Sequence, residues 1–251
     1  MSVRGTFTYI KNKLVYVDEP DYTYTWQTTA GWPLVSYRWV GYVADGLFKD
    51  QEDIDNSPEQ NLGSQVMPGD IKYRDLNGDG KITKEDRTLI SDCGTAPKVQ
   101  YGLGVYLKWK GFDLGMFFNG SAKRTILQSP MNPFGADTGS EWGAGERQLA
   151  KYIDQQRWTE ANPDPNAKYP RLGTLYTDVR NNLETSTYWL RDGSFIRFKT
   201  LEFGYTFPFC RLYFSADNLA VWSPFKLWDP ELSWNSFPLQ RTFNIGLQFH
   251  F

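Results

Sequence analysis

The chain has 251 residues and a formal net charge of −2, enough sequence for one large all-β domain or two ordinary ones. That balance supplies no basic field for nucleic acid. The mean hydropathy is −0.54, and no run of about 18 apolar residues occurs, so helical membrane spans are excluded. A barrel is not, because its strands show only alternate residues to lipid. Aromatic residues make up 17% of the chain, which suits rings at membrane interfaces or on a binding surface.

The first predicted strand is Val3–Tyr9, entered almost directly from Met1. No basic, then apolar, signal peptide opens the chain. A barrel protein is secreted before insertion, so either the chain starts internally in a longer protein or a barrel is the wrong reading. A second strand is predicted near Tyr37–Phe48.

Next comes Asp75-Leu76-Asn77-Gly78-Asp79-Gly80-Lys81-Ile82-Thr83-Lys84-Glu85-Asp86. Oxygen ligands fall at loop positions 1, 3 and 5, glycine at 6 and a carboxylate at 12, which is EF-hand spacing. The expected Ca²⁺ ligands are Asp75, Asn77, Asp79, the Lys81 carbonyl and Asp86, with a structural role. Asp86 stands where Glu is usual, and its shorter reach weakens the site. The competing reading is an Asx-rich turn closed by a capping box between Thr83 and Asp86. Gly78–Lys81 lacks the glycine spacing and the following Ser/Thr of a phosphate loop.

Val99–Trp109 alternates without a break. Val99, Tyr101, Leu103, Val105, Leu107 and Trp109 take one face, and Gln100, Gly102, Gly104, Tyr106 and Lys108 the other. Lys110-Gly111 is a two-residue turn, and Phe112–Asn119 returns with Asp113 and Asn119 on the polar face. Ser194–Phe207 and Arg211–Asp217 form a second hairpin through Pro208-Phe209. Between the hairpins, one helix is expected near Glu146–Arg157. The last strand, Arg241–Phe251, sets Phe243, Ile245, Leu247, Phe249 and Phe251 against Thr242, Asn244, Gly246, Gln248 and His250. Its length suits a tilted membrane-spanning strand.

Short turns and long connections alternate strictly along these strands, as in transmembrane barrels with short periplasmic turns and long extracellular loops. The expected fold is therefore all-β: an antiparallel transmembrane β-barrel sector with an EF-hand-like calcium loop. Its lumen-facing candidates are Gln100, Asp113, Asn119, Asn244 and Gln248. Alternation alone leaves open which face is outside, since a soluble sandwich turns its apolar face inward.

Other chemistry is sparse. His250 is the only histidine, which argues against a histidine-based triad or zinc site, and no carboxylate pair stands out, so an enzyme is not expected. Cys93 and Cys210 are expected to be unpaired, and their spacing fits no metal site. Trp142, Trp158, Tyr169, Tyr176, Tyr188, Trp189, Trp222, Trp228 and Trp234 fall in the long connections, where rings pack loops more often than they meet ligands.

Three stretches together resemble the SusC/RagA-type family of TonB-linked outer-membrane transporters. They are Gly69–Arg74 running into Asp75–Asp86; Tyr188–Lys199 with Leu201–Pro208; and Ser215–Leu219, Asp229–Glu231 and the terminal strand. Phe7–Tyr9 through Asn12-Lys13, and Gly41–Phe48, resemble it as well. The resemblance implies a large plugged barrel of about 22 strands, in a Gram-negative outer membrane and driven through TonB. It also implies import of glycans, oligosaccharides or peptides with a SusD-type surface lipoprotein. Residues 1–251 would be the C-terminal part of that barrel, without the plug domain, the TonB-contacting segment or the N-terminal strands. Roughly seven strands leave two open edges, which lipid cannot satisfy. Phe251 resembles the terminal aromatic read by the outer-membrane assembly machinery. The alternative is a soluble secreted calcium-binding β-domain that binds carbohydrate.

Overall fold

The computed structural model describes residues 1–128, 151–173, 176–232, 237 and 239–249. In chain order the strands and helices are β1 (Ser2–Tyr9), β2 (Trp39–Gly41), β3 (Ala44–Leu47), α1 (Gln51–Asp55), β4 (Glu59–Gln60), β5 (Ile71–Tyr73), β6 (Lys81–Ile82), β7 (Thr88–Ser91), β8 (Val99–Trp109), β9 (Phe112–Ala122), β10 (Thr125–Leu127), α2 (Lys151–Asp154), β11 (Leu190–Asp192), β12 (Phe195–Thr206), β13 (Cys210–Trp222) and β14 (Thr242–Phe249). They fall into two compact units. The first comprises Met1–Asn12, Cys93–Ile126 and Arg191–Phe251, the second Lys13–Asp92 and Leu127–Leu190.

The first unit is an antiparallel six-stranded sheet in the order β1-β8-β9-β12-β13-β14. Lys110 and Gly111, both at positive φ, make the tight turn whose twist matches the flanking strands. Phe207–Phe209 makes the second short connection, closed by a hydrogen bond from the Phe207 N–H to the Cys210 carbonyl at 2.7 Å. The predicted alternation is realised across the sheet, since Val3, Val105, Met116, Leu201, Ala216 and Phe243 stand in one cross-strand row. Aromatic pairs stitch that face together: Phe118 stacks on Phe198 with centroids 4.5 Å apart and Phe112 on Phe203 at 5.9 Å. A register shift between Phe198 and Thr200 inserts Lys199 as a bulge.

Exposure is inverted relative to a soluble sandwich. The apolar face is bare, with Ile245 80% and Phe7 71% exposed, whereas Asp113, Ser121 and Arg197 on the polar face are buried. Isolated exposed apolar residues are ordinary, but a whole bare face marks contact with lipid or a partner. The sheet has six strands, one fewer than expected, and no closed barrel is formed among the described residues. The missing strand is the predicted Tyr37–Phe48. It is broken into β2 and β3, which pair with β7 and β5 in the second unit, while Tyr37 lies in a 3₁₀ turn.

The second unit is built of short strand pairs and turns around Trp189, Tyr42, Tyr73, Phe48 and Ile71. Its interior is polar in part, and several of its polar groups are paired. The buried Asp70 carboxylate meets Arg171 at 2.7 Å and accepts from Asn182 Nδ2 at 2.8 Å. Gln60 Nε2 donates to Asn181 Oδ1 at 2.6 Å, and the Trp189 indole donates to the Asn182 carbonyl at 2.8 Å. Burial pushes the Asp70 carboxyl above the usual range, with Arg171 opposing it. Of the helix expected near Glu146–Arg157, the part within the described residues is α2, with Ile153 buried.

Candidate functional site

The five candidates read from alternation do share one face of the main sheet, but they do not act as one set. Asn244 and Gln248 are exposed on the edge strand β14. Asp113 is not a free hydrogen-bonding group. It accepts from Arg211 Nε at 3.0 Å and from Arg211 Nη2, and Nη2 also reaches Glu202 Oε1 at 2.6 Å. Gly204 faces Asp113 across the β9–β12 pairing, and a Cβ there would lie 2.7 Å from Arg211 Nη2. Glycine therefore lets the guanidinium cross β12 to its carboxylate. Gln100 and Asn119 line a common cavity of about 450 Å³ with Ser121 and Arg124.

A second ion-pair cluster closes that region. Arg197 donates through Nη2 to both oxygens of Asp229, at 2.6 and 2.7 Å, and through Nε to Glu231 Oε2 at 2.8 Å. Asn119 Nδ2 donates to the other Glu231 oxygen at 3.4 Å, and Arg124 donates to the Pro230 carbonyl. The Asp229–Glu231 segment is thereby fastened to the polar face by charge-assisted bonds. Arg124, Arg197 and Arg211 were not singled out in the sequence. For Arg211 the available signal was its place on the polar phase of its strand.

In the Asp75–Asp86 loop the side chains fold back on the backbone. Asp75 accepts from the Gly78 and Gly80 N–H groups at 2.6 and 2.8 Å, Asn77 Oδ1 from Asp79 N–H at 3.0 Å and Asp79 Oδ1 from Lys81 N–H at 2.8 Å. Gly78 and Gly80 lie at φ +78 and +81°, the left-handed region that favours glycine. The Gly80 and Gly78 donors hold the Asp75 carboxyl below the usual range, against a smaller opposing effect of burial. Asp86 is fully buried, and its oxygens accept from Leu76 and Thr83 N–H, both at 2.8 Å. The capping box with Thr83 is formed. Asp75, Asn77 and Asp79 thus present oxygens along one turn, and the Asp86 oxygens already serve the backbone. Among the described residues no cluster of three or more His, Cys, Asp or Glu side chains is placed to hold a metal.

Of the rings expected in the long connections, Trp158, Tyr169 and Trp189 are buried and pack the second unit, Trp228 is exposed, and Trp222 is instead the exposed last residue of β13. Tyr188 stands edge-on to Trp189 and donates to the Ala167 carbonyl at 2.8 Å. Trp142, Trp234 and the Tyr176 side chain lie outside the described residues, as does Phe251. Cys93 and Cys210 form no disulfide among the described residues. No described helix is long and apolar enough to cross a membrane, which says nothing of crossing by strands.

An antiparallel sheet with a bare apolar face, a charged polar face and short turns at one end is the geometry of a barrel wall. No family model matches the chain. Two curated relatives, both from Formosa agariphila, are TonB-dependent receptor P26, 28% identical over 232 residues, and TonB-dependent receptor P3, 28% identical over 239 residues. These matches cover 82% and 84% of the chain but 22% of each relative's length. Among solved structures, the RagAB peptide transporter matches with a TM-score of 0.58 and 19% identity, covering 88% of this chain and 23% of that one. The RagAB peptide importer in its open-open state gives 0.58 and 21%, over 85% and 22%. The chain is therefore similar to a segment of a SusC/RagA-type TonB-dependent transporter, as its sequence suggests.

Proposed function

We propose that the chain is a C-terminal wall sector of a TonB-dependent outer-membrane transporter that imports oligosaccharides or peptides. The observation that carries this reading is the inverted sheet, apolar and bare outside, charged and hydrogen-bonded inside. Lipid would cover the apolar face. Trp109, Phe112, Phe207 and Phe209 lie at the short-turn end, where a barrel carries its interfacial ring girdle. The polar face would line the lumen, with Gln100 and Asn119 facing passing substrate. In this reading a longer protein supplies the plug, the TonB contact and the strands that pair with the two sheet edges. A SusD-type surface lipoprotein would cap it on the side of the long connections. Asp75, Asn77, Asp79, the Lys81 carbonyl and Asp86 would hold a structural Ca²⁺ that stiffens one of those connections, a reading supported by the EF-hand spacing of these residues.

Fractionation of the producing bacterium tests the reading. The native protein is expected in the outer membrane, to require detergent for extraction, and to migrate faster on gels before heating than after. Recovery in a soluble fraction without detergent would refute it.

A further inference from the structure

The β13–β14 connection takes a path that its two strands do not require. β13 and β14 are neighbours in the sheet, and Asn218 Nδ2 donates to the Gln240 carbonyl at 3.0 Å where the connection comes back. Antiparallel neighbours need only a few linking residues. Instead, residues 223–231 run the other way, across β12 toward β9. Ser223 Oγ donates to the Ser194 carbonyl, just before β12, at 2.7 Å. Asp229 is held by Arg197 of β12, and Glu231 by Arg197 and by Asn119 of β9. From β13 that is a sideways reach of two strand spacings, roughly 10 Å. Glu231 then lines one cavity with Thr8 of β1, Gln100 of β8 and Asn119, so the segment overhangs the polar face.

The sheet is shaped to receive this segment. The bulge at Lys199 turns Arg197 from the apolar face to the polar one, where its guanidinium meets both carboxylates. Local turns preset the segment: Asp229 Oδ1 accepts from the Glu231 N–H at 2.9 Å, and Ser223 Oγ from the Phe225 N–H at 3.1 Å. Phe225 is 7% exposed, so lifting the segment would return an apolar ring to water. Pro230 is buried too, with its carbonyl held by Arg124. A hydrogen bond to a charged group favours the closed form by roughly tenfold or more. Bonds from one guanidinium do not add fully, so an open form is expected in about one molecule in a hundred or fewer. We infer that residues 223–231 form a fixed internal strap, which narrows the polar side of this wall permanently and does not swing as a lid. The inference rests on the transporter reading for what the polar side encloses.

Two measurements on the full-length protein in detergent micelles test it. In the first, spin labels are placed at the exposed positions Gln100→Cys and Trp228→Cys, with Cys93, Cys210 and any further cysteine replaced. Pulsed electron resonance is expected to give one narrow distance. Two populations, or one broad one, would show a moving lid and overturn the inference. The second is limited trypsin digestion with mass mapping. Lys226 is exposed, but its backbone lies between the anchors at Ser223 and Asp229, so cleavage after it requires the strap to open. The wild type should resist there. Arg197→Ala should be cut about a hundredfold faster, because cleavage follows the open population, and Glu231→Gln severalfold faster. Heat-dependent gel migration should stay unchanged in both. Cleavage of the wild type as fast as Arg197→Ala, or equal resistance in all three, would overturn the inference. If Arg197→Ala does not fold, Glu231→Gln and the distance measurement, which leaves every anchor of the strap in place, decide. None of those results touches the membrane fractionation, by which the transporter reading stands or falls separately.

Discussion

Arg197 is the side chain on which the Asp229–Glu231 segment hangs, and Arg197→Ala is the sharpest perturbation of the polar face. Its side chain is 3% exposed, against 10% for Asp229 and 32% for Glu231. Truncation removes the two-oxygen clasp on Asp229 and the bond to Glu231, and leaves Asp229 nearly buried. Removing one partner of a buried pair costs about 3–5 kcal/mol because the other charge remains in place. The Glu231 share is small, roughly 0–1 kcal/mol, because solvent screens it. Arg124 lies near enough to both carboxylates to offset part of the loss. The expected destabilisation is therefore about 3–4 kcal/mol, toward the lower end of the buried-pair range. The assay is urea unfolding of the full-length protein in detergent, followed by tryptophan fluorescence and by the heat-sensitive gel band. Arg197→Lys should fall between, since it keeps the charge but not the planar fork. Arg197→Met combined with Asp229→Asn should recover most of the stability, because the Glu231 carboxylate then remains opposite Arg124. A loss below about 1 kcal/mol for Arg197→Ala, the value of an exposed pair, would refute the reasoning.

Two further outcomes are expected. Adding Ca²⁺ to chelator-treated protein should raise its melting temperature, and Asp79→Ala should abolish the rise; an unmoved wild type would remove the metal from the Asp75–Asp86 loop. Asp53 accepts from Lys72 Nζ at 2.8 Å, and this bond holds its carboxyl below its ordinary value of 3.8, with burial opposing. The folded value is the lower one, so the stabilisation is fully present above 3.8 and is lost as pH falls through the folded value. Asp53→Asn should therefore cost roughly 0.5–1 kcal/mol at neutral pH and nothing in strong acid, read from paired melting curves; equal deficits at both would show that charge is not the cause.

Alternation with period two made β1, β8, β9, β12, β13 and β14 legible, because each residue's face follows from its parity once the backbone is extended. The Lys110-Gly111 turn and the bent Asp75–Asp86 loop were legible for the same local reason: glycine reaches positive φ and carboxylates bond nearby N–H groups. Parity misled at Arg197. Counted from Leu201 it belongs to the apolar face, and only the bulge at Lys199 returns it to the polar one. The Tyr37–Phe48 run looked like a barrel strand because its composition is right. Gly41 instead lies hard against the Thr185 carbonyl, 2.1 Å from where a Cβ would sit, a contact across 144 residues that no local pattern carries.

By itself the sequence determined the strands of the six-stranded sheet, their faces away from the bulge and the tight turns, which depend on residues one or two positions apart. Only the tertiary structure decided which face is bare, because exposure depends on what the rest of the chain places over it. It likewise decided that Asp113 belongs to Arg211, 98 residues away, and that Arg197 holds Asp229 and Glu231. Ion pairing and cavity lining join residues by distance in space, and it is the pairing of strands that sets that distance.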